Sequence, residues 1–207
     1  MTVSQAPPLT KEPRAAFIRA PADARRLDLI AACARTLAKK GAHGCSVREI
    51  CAEAGVSSGL LRHYFAGIDD LIAETYRQTG HQVQAALEAA VAKAGTDPKN
   101  RLLAYLTASF APPIADADLL ATWLAFWSLT RTDPAVAALH GEIYAENRHA
   151  LERLLEAYAP ARDHRLMAVA LTALVDGLWL ELSLGDAPFS PEEATLLAER
   201  WLETLAR

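Results

Sequence analysis

The sequence predicts an all-α protein with nine helices, and three observations indicate this fold class. The chain of 207 residues is rich in alanine and leucine and contains ten glycines. It has no alternating runs of β-branched residues of the kind that half-buried strands require. Apolar side chains instead recur every three or four residues, as they do on one face of a helix. With 52% hydrophobic and 22% charged residues, the composition is that of a soluble globular protein.

The first 22 residues differ from the rest because they contain the four prolines at positions 7, 8, 13 and 21. We expect this segment to be a poorly ordered arm, and it lacks the apolar core of a secretory signal. The first helix is predicted over residues 23–40, and Gly41 ends it. Its predicted apolar stripe consists of Leu27, Ile30, Ala34 and Leu37.

Residues 46–65 predict two short helices joined by a tight turn. Ser46 and Glu49 have the spacing of a capping box, in which each side chain bonds a free backbone N–H at the helix start. Gly55 ends this helix, and Ser57 is predicted to cap the next one, over about 58–65. The second helix is too short to be stable alone, so its neighbours must hold it in place.

A long fourth helix is predicted from Ile68 to about residue 94. Asp69 and Asp70 lie in its first turn, where the helix dipole favours acidic side chains. Its predicted buried side consists of Leu71, Ile72, Val83, Leu87 and Val91.

Proline marks three later helix starts. Asp97-Pro98 and Asp133-Pro134 each place an N-cap residue before a proline, and Ser190-Pro191 adds a capping box with Glu193. Acidic residues interrupt the long apolar stretch over 166–184, so we expect a buried helix rather than a membrane span. The remaining helices are predicted at about 98–110, 116–130, 134–158, 162–184 and 191–206.

Basic residues are concentrated at the start of the chain. Residues 1–65 contain ten Lys and Arg against five Asp and Glu, a net charge of +5. The remainder contains eleven against twenty, a net charge of −9, which gives −4 for the whole chain. This asymmetry indicates a polyanionic partner for the first segment.

The layout of residues 46–65 is typical of a helix-turn-helix, whose second helix enters the major groove of DNA. Leu61 and Phe65 would anchor this helix and leave its other side facing outward. An alternative is a short helical corner with no role in DNA binding. The outward-facing residues are Ser57, Ser58, Gly59, Leu60, Arg62 and His63.

Residues 24–72 resemble the DNA-binding domain of TetR-family transcriptional regulators through the motif G-x-x-x-x-S-V-R-E-I-x-x-x-A-G-V-S-S-G-x-x-x-x-Y-F. The segments TWLAFWSL (122–129) and ALVDGLWLELSL (173–184) resemble the BetI subgroup of choline-responsive repressors. The resemblance implies a cytoplasmic homodimer that binds a palindrome in double-stranded operator DNA and is released by a small molecule. An alternative is a TetR-type repressor that senses an unrelated apolar or cationic ligand.

The resemblance also implies a division of the chain. A helix-turn-helix domain is expected over 23–70, with the fourth helix as a connector, and a ligand-binding and dimerisation domain over 71–207. The residues expected at the DNA are Ser46, Val47, Arg48, Ser57, Ser58, Gly59, Leu60, Arg62, His63 and Tyr64.

Aromatic residues and one acid form a candidate ligand site. Trp123, Phe126 and Trp127 share one predicted helix, and Asp176 lies about one turn before Trp179 in another. Ring faces and a carboxylate are what a quaternary ammonium group requires. Aromatic residues at this spacing are also typical of a core, and the helix of Trp179 could equally form a dimer seam. Asp176 is the more informative residue, because an acid in an apolar run needs a partner.

The last two predicted helices are the dimerisation elements that the resemblance implies. An alternative is that their apolar side chains form the core of the single chain. The candidate interface residues are Leu166, Val169, Leu174, Leu178, Leu196, Leu197 and Trp201.

Patterns of catalytic or metal-ligating residues are absent from the sequence. The six histidines have neither HExxH nor His-x-x-x-His spacing, and there is no P-loop, dinucleotide or nucleophile-elbow motif. The three cysteines lack Cys-x-x-Cys spacing and are expected to be reduced thiols. The sequence therefore predicts a binding protein without a cofactor or metal. A helical adaptor without DNA binding would leave the basic first segment unexplained.

Overall fold

The computed structural model describes residues 22–205, and over this range it confirms an all-α fold of nine helices without strands. The predicted arm over residues 1–22 lies, except for Ala22, outside the described residues. The helices are α1 (Ala22–Gly44), α2 (Val47–Ala54), α3 (Ser58–Tyr64), α4 (Ile68–Lys93), α5 (Pro98–Ala108), α6 (Ala117–Leu129), α7 (Pro134–Tyr158), α8 (His164–Ser183) and α9 (Pro191–Leu205).

Helices α1, α2 and α3 form an N-terminal unit in which α1 packs on α2 and α2 packs on α3. Arg35 and Lys39 of α1 both pair with Glu53 of α2, at 2.7 and 3.0 Å. Lys40 of α1 pairs with Glu49 of α2. Each exposed pair contributes little to stability, so the buried apolar side chains hold the unit together. They are Leu29, Ile30, Cys33, Leu37, Ile50, Leu61 and Phe65.

Two predictions for this unit are wrong in detail. Leu27 is 52% exposed rather than part of the buried stripe of α1, because the inward face runs through Leu29 and Ile30. Ser46 does accept the Glu49 N–H at 3.3 Å, but the Glu49 carboxylate pairs with Lys40 instead of closing the capping box. Gly41 breaks the regular helix where predicted, with φ 66° and ψ −178°.

Helix α4 connects the N-terminal unit to the rest of the molecule. It packs on α1 and also on α5 and α7. All five residues predicted for its buried side are buried, and Tyr76 is fully buried among them. At Gly80 the helix approaches α7 so closely that a Cβ atom would lie 3.0 Å from Ile143 Cδ1. Helices α4 and α7 are therefore in tight contact just beyond Tyr76.

The predicted helix caps of the C-terminal part are observed. Asp97 accepts the Asn100 N–H at 2.8 Å, and Asp133 accepts the Ala135 N–H at 2.9 Å. The capping box before α9 is complete, because Ser190 N–H donates to Glu193 and Glu193 N–H donates to the Ser190 hydroxyl.

Helix α8 packs on α6, α7 and α9 and is apolar around most of its circumference. Among the described helices it alone has the length and composition that a membrane span requires. Its inward face nevertheless belongs to the core, through Met167, Leu171, Leu178 and Trp179. Its outward face leaves Leu166, Val169, Leu180 and Leu184 exposed.

Candidate functional site

The surface of α3 is polar and accessible. Ser58, Gly59, Arg62 and His63 are exposed, whereas Leu61 is fully buried. Ser57 caps the helix by accepting the Leu60 N–H at 3.3 Å. Leu61 thus anchors the helix, Leu60 and Tyr64 are half-buried, and the other side chains are exposed for contact with another molecule.

The other sequence-predicted DNA residues are less uniform. Arg48 of α2 is the most accessible, with 89% of its side chain exposed. Val47 and Tyr64 are half-buried and pack against the core. Ser46 uses its hydroxyl oxygen as the cap of α2. The structure therefore presents Arg48 and the exposed residues of α3 as surface residues, whereas Val47 and Tyr64 have only part of their surface available for contact.

Arg26 connects α3 to α4. Its guanidinium lies 5.3 Å from the centre of the Phe65 ring, directly after α3, and pairs with Glu74 of α4 at 3.1 Å. A shift of α4 would therefore alter the Arg26 contact with Phe65 at the end of α3.

A partly open cavity lies between α4, α5, α6, α7 and α8. The space enclosed within it is about 60 Å³ and its mouth opens to solvent, so the cavity is narrow in this conformation. Asp176 is the one acidic or basic side chain in its lining. The lining residues are Val83, Leu87, Tyr105, Leu106, Ser109, Trp123, Tyr144, Asn147, Leu151, Leu171, Thr172, Val175, Asp176 and Trp179.

Hydrogen bonds converge on the hydroxyl of Tyr144 in the wall of this cavity. The hydroxyl donates to Asp176 Oδ1 at 3.2 Å. It accepts from Trp127 Nε1 at 3.0 Å and from Trp123 Nε1 at 3.4 Å. Among the described residues, none donates a hydrogen bond to Asp176 Oδ2. One carboxylate oxygen is thus fixed and the other is left for a ligand.

Burial raises the pKa of Asp176 to about 6. The hydrogen bond from Tyr144 and the positive charge of Arg148 both oppose this increase. The Arg148 guanidinium lies 5.7 Å from the centre of the Tyr144 ring. At neutral pH the cavity therefore holds a carboxylate that is mostly ionised and poorly hydrated, which is a favourable site for a cation.

The structure brings three of the five candidate ligand residues, Trp123, Asp176 and Trp179, to the cavity. Trp179 donates its indole N–H to the Ser109 carbonyl at 2.8 Å, and its ring meets Trp123 edge to face at 5.9 Å. Phe126 is fully buried and stacks on Tyr76, with 4.1 Å between ring centres. Phe126 and Trp127 are outside the lining, because the helix that carries Trp123 turns them toward other neighbours.

Sequence reasoning missed Tyr144, which holds the carboxylate. It also missed His140, whose ring lies 4.1 Å from the Tyr144 ring. His140 Nδ1 shares a 2.8 Å hydrogen bond with the Tyr76 hydroxyl. Burial lowers the pKa of His140, which favours the neutral ring. Both residues lie in an amphipathic helix among polar neighbours, and no local pattern distinguishes them from surface residues.

The candidate interface residues divide into two groups. Leu166, Val169, Leu196, Leu197 and Trp201 are 44–53% exposed on α8 and α9. Leu178 is buried inside the chain and Leu174 is half-buried, so the prediction for Leu178 is wrong. The exposed stripe of α8 continues instead through Leu180 and Leu184, four residues apart.

Within residues 22–205, no group of three or more His, Cys, Asp and Glu side chains has the arrangement of a metal site. Cys33, Cys45 and Cys51 are free thiols.

Two family models match the chain. Residues 29–75 match the model of bacterial regulatory proteins of the tetR family. Residues 98–207 match the model of the C-terminal domain of BetI-type transcriptional repressors. The two matches include the helix-turn-helix and four of the five helices that enclose the cavity.

Characterised relatives are similar over most of the chain. The HTH-type transcriptional regulator BetI of Burkholderia thailandensis is 33% identical over 185 residues, which cover 87% of this chain and 93% of the relative. The BetI regulator of Burkholderia cenocepacia is 32% identical over 189 residues, with the same coverage.

Solved structures share the fold. A transcriptional regulator from Pseudomonas aeruginosa PAO1 is 38% identical, with a TM-score of 0.84 over 93% of this chain and 95% of that chain. A transcriptional regulator from Saccharomonospora viridis in complex with choline is 21% identical, with a TM-score of 0.75 over 88% of this chain and 97% of that chain.

The first prediction concerns the stability cost of Asp176. Because its pKa is about 6 in the folded protein and 3.8 for an ordinary aspartate, the folded state holds the proton more tightly. Stability is therefore lost as the pH rises from about 4 to about 6 and then stays level. We expect Asp176→Asn to raise the free energy of unfolding at pH 7 by about 1–2 kcal/mol, with a smaller gain at pH 5.

Urea unfolding at the two pH values measures this effect. Asp186→Asn, at an exposed position, is the matched control and should leave stability nearly unchanged. A variant at position 176 that is less stable than the wild type at pH 7 would contradict the prediction.

Proposed function

Because the chain belongs to the TetR family of transcriptional regulators and carries the BetI-type C-terminal domain, we propose that it is a homodimeric repressor released from operator DNA by choline or a related quaternary ammonium. Membership confirms the resemblance found in the sequence and makes the protein a regulator rather than an enzyme. We place its action in the cytoplasm, where operator DNA is accessible.

The exposed face of α3 is the proposed base-reading surface. Ser58, Gly59, Leu60 and Arg62 read bases in the major groove, where an arginine can bond two acceptors of one guanine. Arg48, His63 and Tyr64 contact phosphates, with Ser46, Val47 and Ser57 at the helix starts. The accessibility of Arg48 and Arg62 supports this assignment.

The exposed apolar stripe of α8 and α9 is the proposed dimer interface. Leu166, Val169, Leu180, Leu196 and Trp201 lie on this surface beside Leu184 and Leu197. Exposed apolar side chains gathered on two adjacent helices mark an interaction surface. A second copy that presents the same stripe would bury it by two-fold symmetry, as a palindromic operator requires.

The observation that carries the effector proposal is the Asp176 carboxylate inside an aromatic cavity. The rings of Trp123 and Trp179 offer cation–π attraction, which contributes about 0.5–2 kcal/mol per ring in desolvated sites. Asp176 supplies the counter-charge. A compact, weakly hydrated cation fits this combination better than an anion or a neutral ligand.

Release requires that the effector favour a conformation unable to bridge both half-sites, because equal affinity for two conformations shifts nothing. Helix α4 is the proposed connection. Its Val83 and Leu87 line the cavity, and Glu74, nearer its start, pairs with Arg26 beside α3. A tilt of α4 would change the separation of the two recognition helices, which must match one DNA turn of about 34–36 Å.

The second prediction tests base reading. We expect Arg62→Ala to weaken binding to the operator by about 1–3 kcal/mol and to relax the preference at one base position. Fluorescence anisotropy with upstream intergenic DNA and with random DNA measures both quantities. Arg131→Ala, which removes an exposed arginine from the α6–α7 connection, is the control. Equal weakening on operator and random DNA would reassign Arg62 to a phosphate contact.

The third prediction tests the dimer. We expect the wild type to sediment as a dimer at micromolar concentration and Leu197→Glu to sediment as a folded monomer, because a charge in an apolar interface lacks a partner. Leu27→Glu, at a similarly exposed leucine outside the stripe, should remain dimeric. A monomeric wild type, or a dimeric Leu197→Glu, would refute the interface.

The fourth prediction tests the effector by calorimetry with choline, betaine aldehyde and the uncharged isostere 3,3-dimethylbutan-1-ol. The two cations should bind more tightly than the isostere, and Asp176→Asn should remove this preference. Because the pKa of Asp176 is about 6 in the free protein, choline affinity should rise with pH through about 6 and level off about one pH unit higher. The effector proposal would be refuted if the isostere bound more tightly than the cations, or if Asp176→Asn and Trp179→Ala left choline affinity unchanged. The family assignment would then stand alone.

A further inference from the structure

Trp127 makes a specific polar contact although it lies outside the cavity lining. Its indole N–H donates to the Tyr144 hydroxyl at 3.0 Å, which is a shorter distance than the 3.4 Å from Trp123. Tyr144 in turn donates to Asp176 at 3.2 Å. Two successive hydrogen bonds, through the Tyr144 hydroxyl, therefore connect Trp127 to the carboxylate that faces the cavity.

The two indoles constrain where the hydroxyl proton can point. An indole N–H is a donor only, and a phenol oxygen has one proton and at most two acceptor sites. With two donors directed at this oxygen, its own proton is left for Asp176 Oδ1. Protonation of Oδ1 would require the Tyr144 oxygen to accept, and its acceptor sites are occupied by the two indole N–H groups. A proton can bind Oδ2 instead, but Oδ1 then becomes a neutral and weaker acceptor for Tyr144. The cluster thus favours Asp176 in its charged, accepting form.

We propose that Trp127 is a positioning residue that acts through Tyr144 on Asp176 and thereby sets how strongly the cavity prefers cationic over neutral ligands. The inference rests on the proposed effector function, but it concerns a residue that need not touch the ligand. It differs from the sequence-based expectation that the Trp127 ring face binds the ligand directly.

The charged and titratable groups near the carboxylate come from two helices. Helix α7 contributes Tyr144, Arg148 and His140. The positive charge of Arg148 also favours ionised Asp176, and the His140 ring lies 4.1 Å from the Tyr144 ring. Helix α4 contributes Tyr76, whose pKa is raised by burial and also by the negative charge of Asp176. The α6 residues in the cluster, Trp123 and Trp127, do not titrate. A change at Trp127 thus alters the hydrogen bonding of the carboxylate without removing a charge.

The direct test is the titration of the Asp176 carboxyl in the ligand-free protein, followed by ¹³C NMR and assigned with Asp176→Asn. Trp127→Phe removes the N–H and retains an aromatic ring. We expect it to raise the titration midpoint of Asp176 by about half a pH unit to one unit, because the Tyr144 hydroxyl then becomes free to accept a hydrogen bond from the protonated carboxyl group. An unchanged midpoint would overturn the inference whether or not choline binds.

Calorimetry tests the consequence for specificity. For a midpoint shift of this size, choline affinity of Trp127→Phe should fall about two- to fivefold at pH 6 and by less than about 1.5-fold at pH 8. The affinity for 3,3-dimethylbutan-1-ol should change little. Trp179→Phe is the matched control, because its indole N–H donates to Ser109 rather than Tyr144. It should weaken binding by the same factor at both pH values.

A double-mutant cycle separates action through Tyr144 from direct contact. In a Tyr144→Phe background, Trp127→Phe should have no further effect on the midpoint or on the choline preference. The opposite result is that Trp127→Phe lowers choline and isostere affinity equally at both pH values and does so also in the Tyr144→Phe background. That result would overturn the inference and indicate that Trp127 contacts the ligand directly. If Trp127→Phe does not fold, Tyr144→Phe must itself raise the midpoint, and its failure to do so would overturn the inference. A wild type that binds no cation would refute the proposed effector but would leave the midpoint test decisive for Trp127.

Discussion

The C-terminal domain is organised around one constraint, which is that a carboxylate placed among aromatic rings must be given hydrogen-bond donors. Asp176 lies in an otherwise apolar stretch of α8, and an unpaired charge there would destabilise the fold by several kcal/mol. Tyr144 supplies the donor from α7, and α6 supplies the indoles that orient it. Three helices therefore meet at one hydroxyl group. The same arrangement leaves the carboxylate incompletely neutralised, so the site remains attractive to a cation.

One path from this cluster to the N-terminal unit runs through closely packed contacts of α4. Tyr76 of α4 is fully buried, stacks on Phe126 and hydrogen-bonds His140. One turn further, Gly80 allows α7 to approach closely. Because close-packed interiors transmit displacements, a shift of α7 at the cavity must be accommodated by α4. At the end of α3, Arg26 contacts both α4 and Phe65, and the Ala66 N–H donates to Asp70 of α4 at 3.0 Å.

The sequence predicted the fold well, because helix starts are encoded locally. Asp97, Asp133 and Ser190 are caps in the structure as their neighbours in sequence indicated. It predicted less about which faces meet. Helix α8 is apolar nearly all round, so periodicity could not separate the buried Leu178 from the exposed Leu180. The role of Tyr144 could not be predicted, because it depends on how the tertiary fold brings the indoles of α6 and the carboxylate of α8 to its hydroxyl group.

Helix α3 contributes little to the stability of the fold, since Leu61 is its one fully buried side chain and Ser57 supplies its cap from outside the helix. Its exposed positions can therefore change at almost no cost in folding free energy. In the proposed repressor, operator preference is therefore free to diverge between gene copies while the C-terminal cavity is retained. A duplicated copy could acquire a new set of target genes within a few substitutions and keep the same cavity.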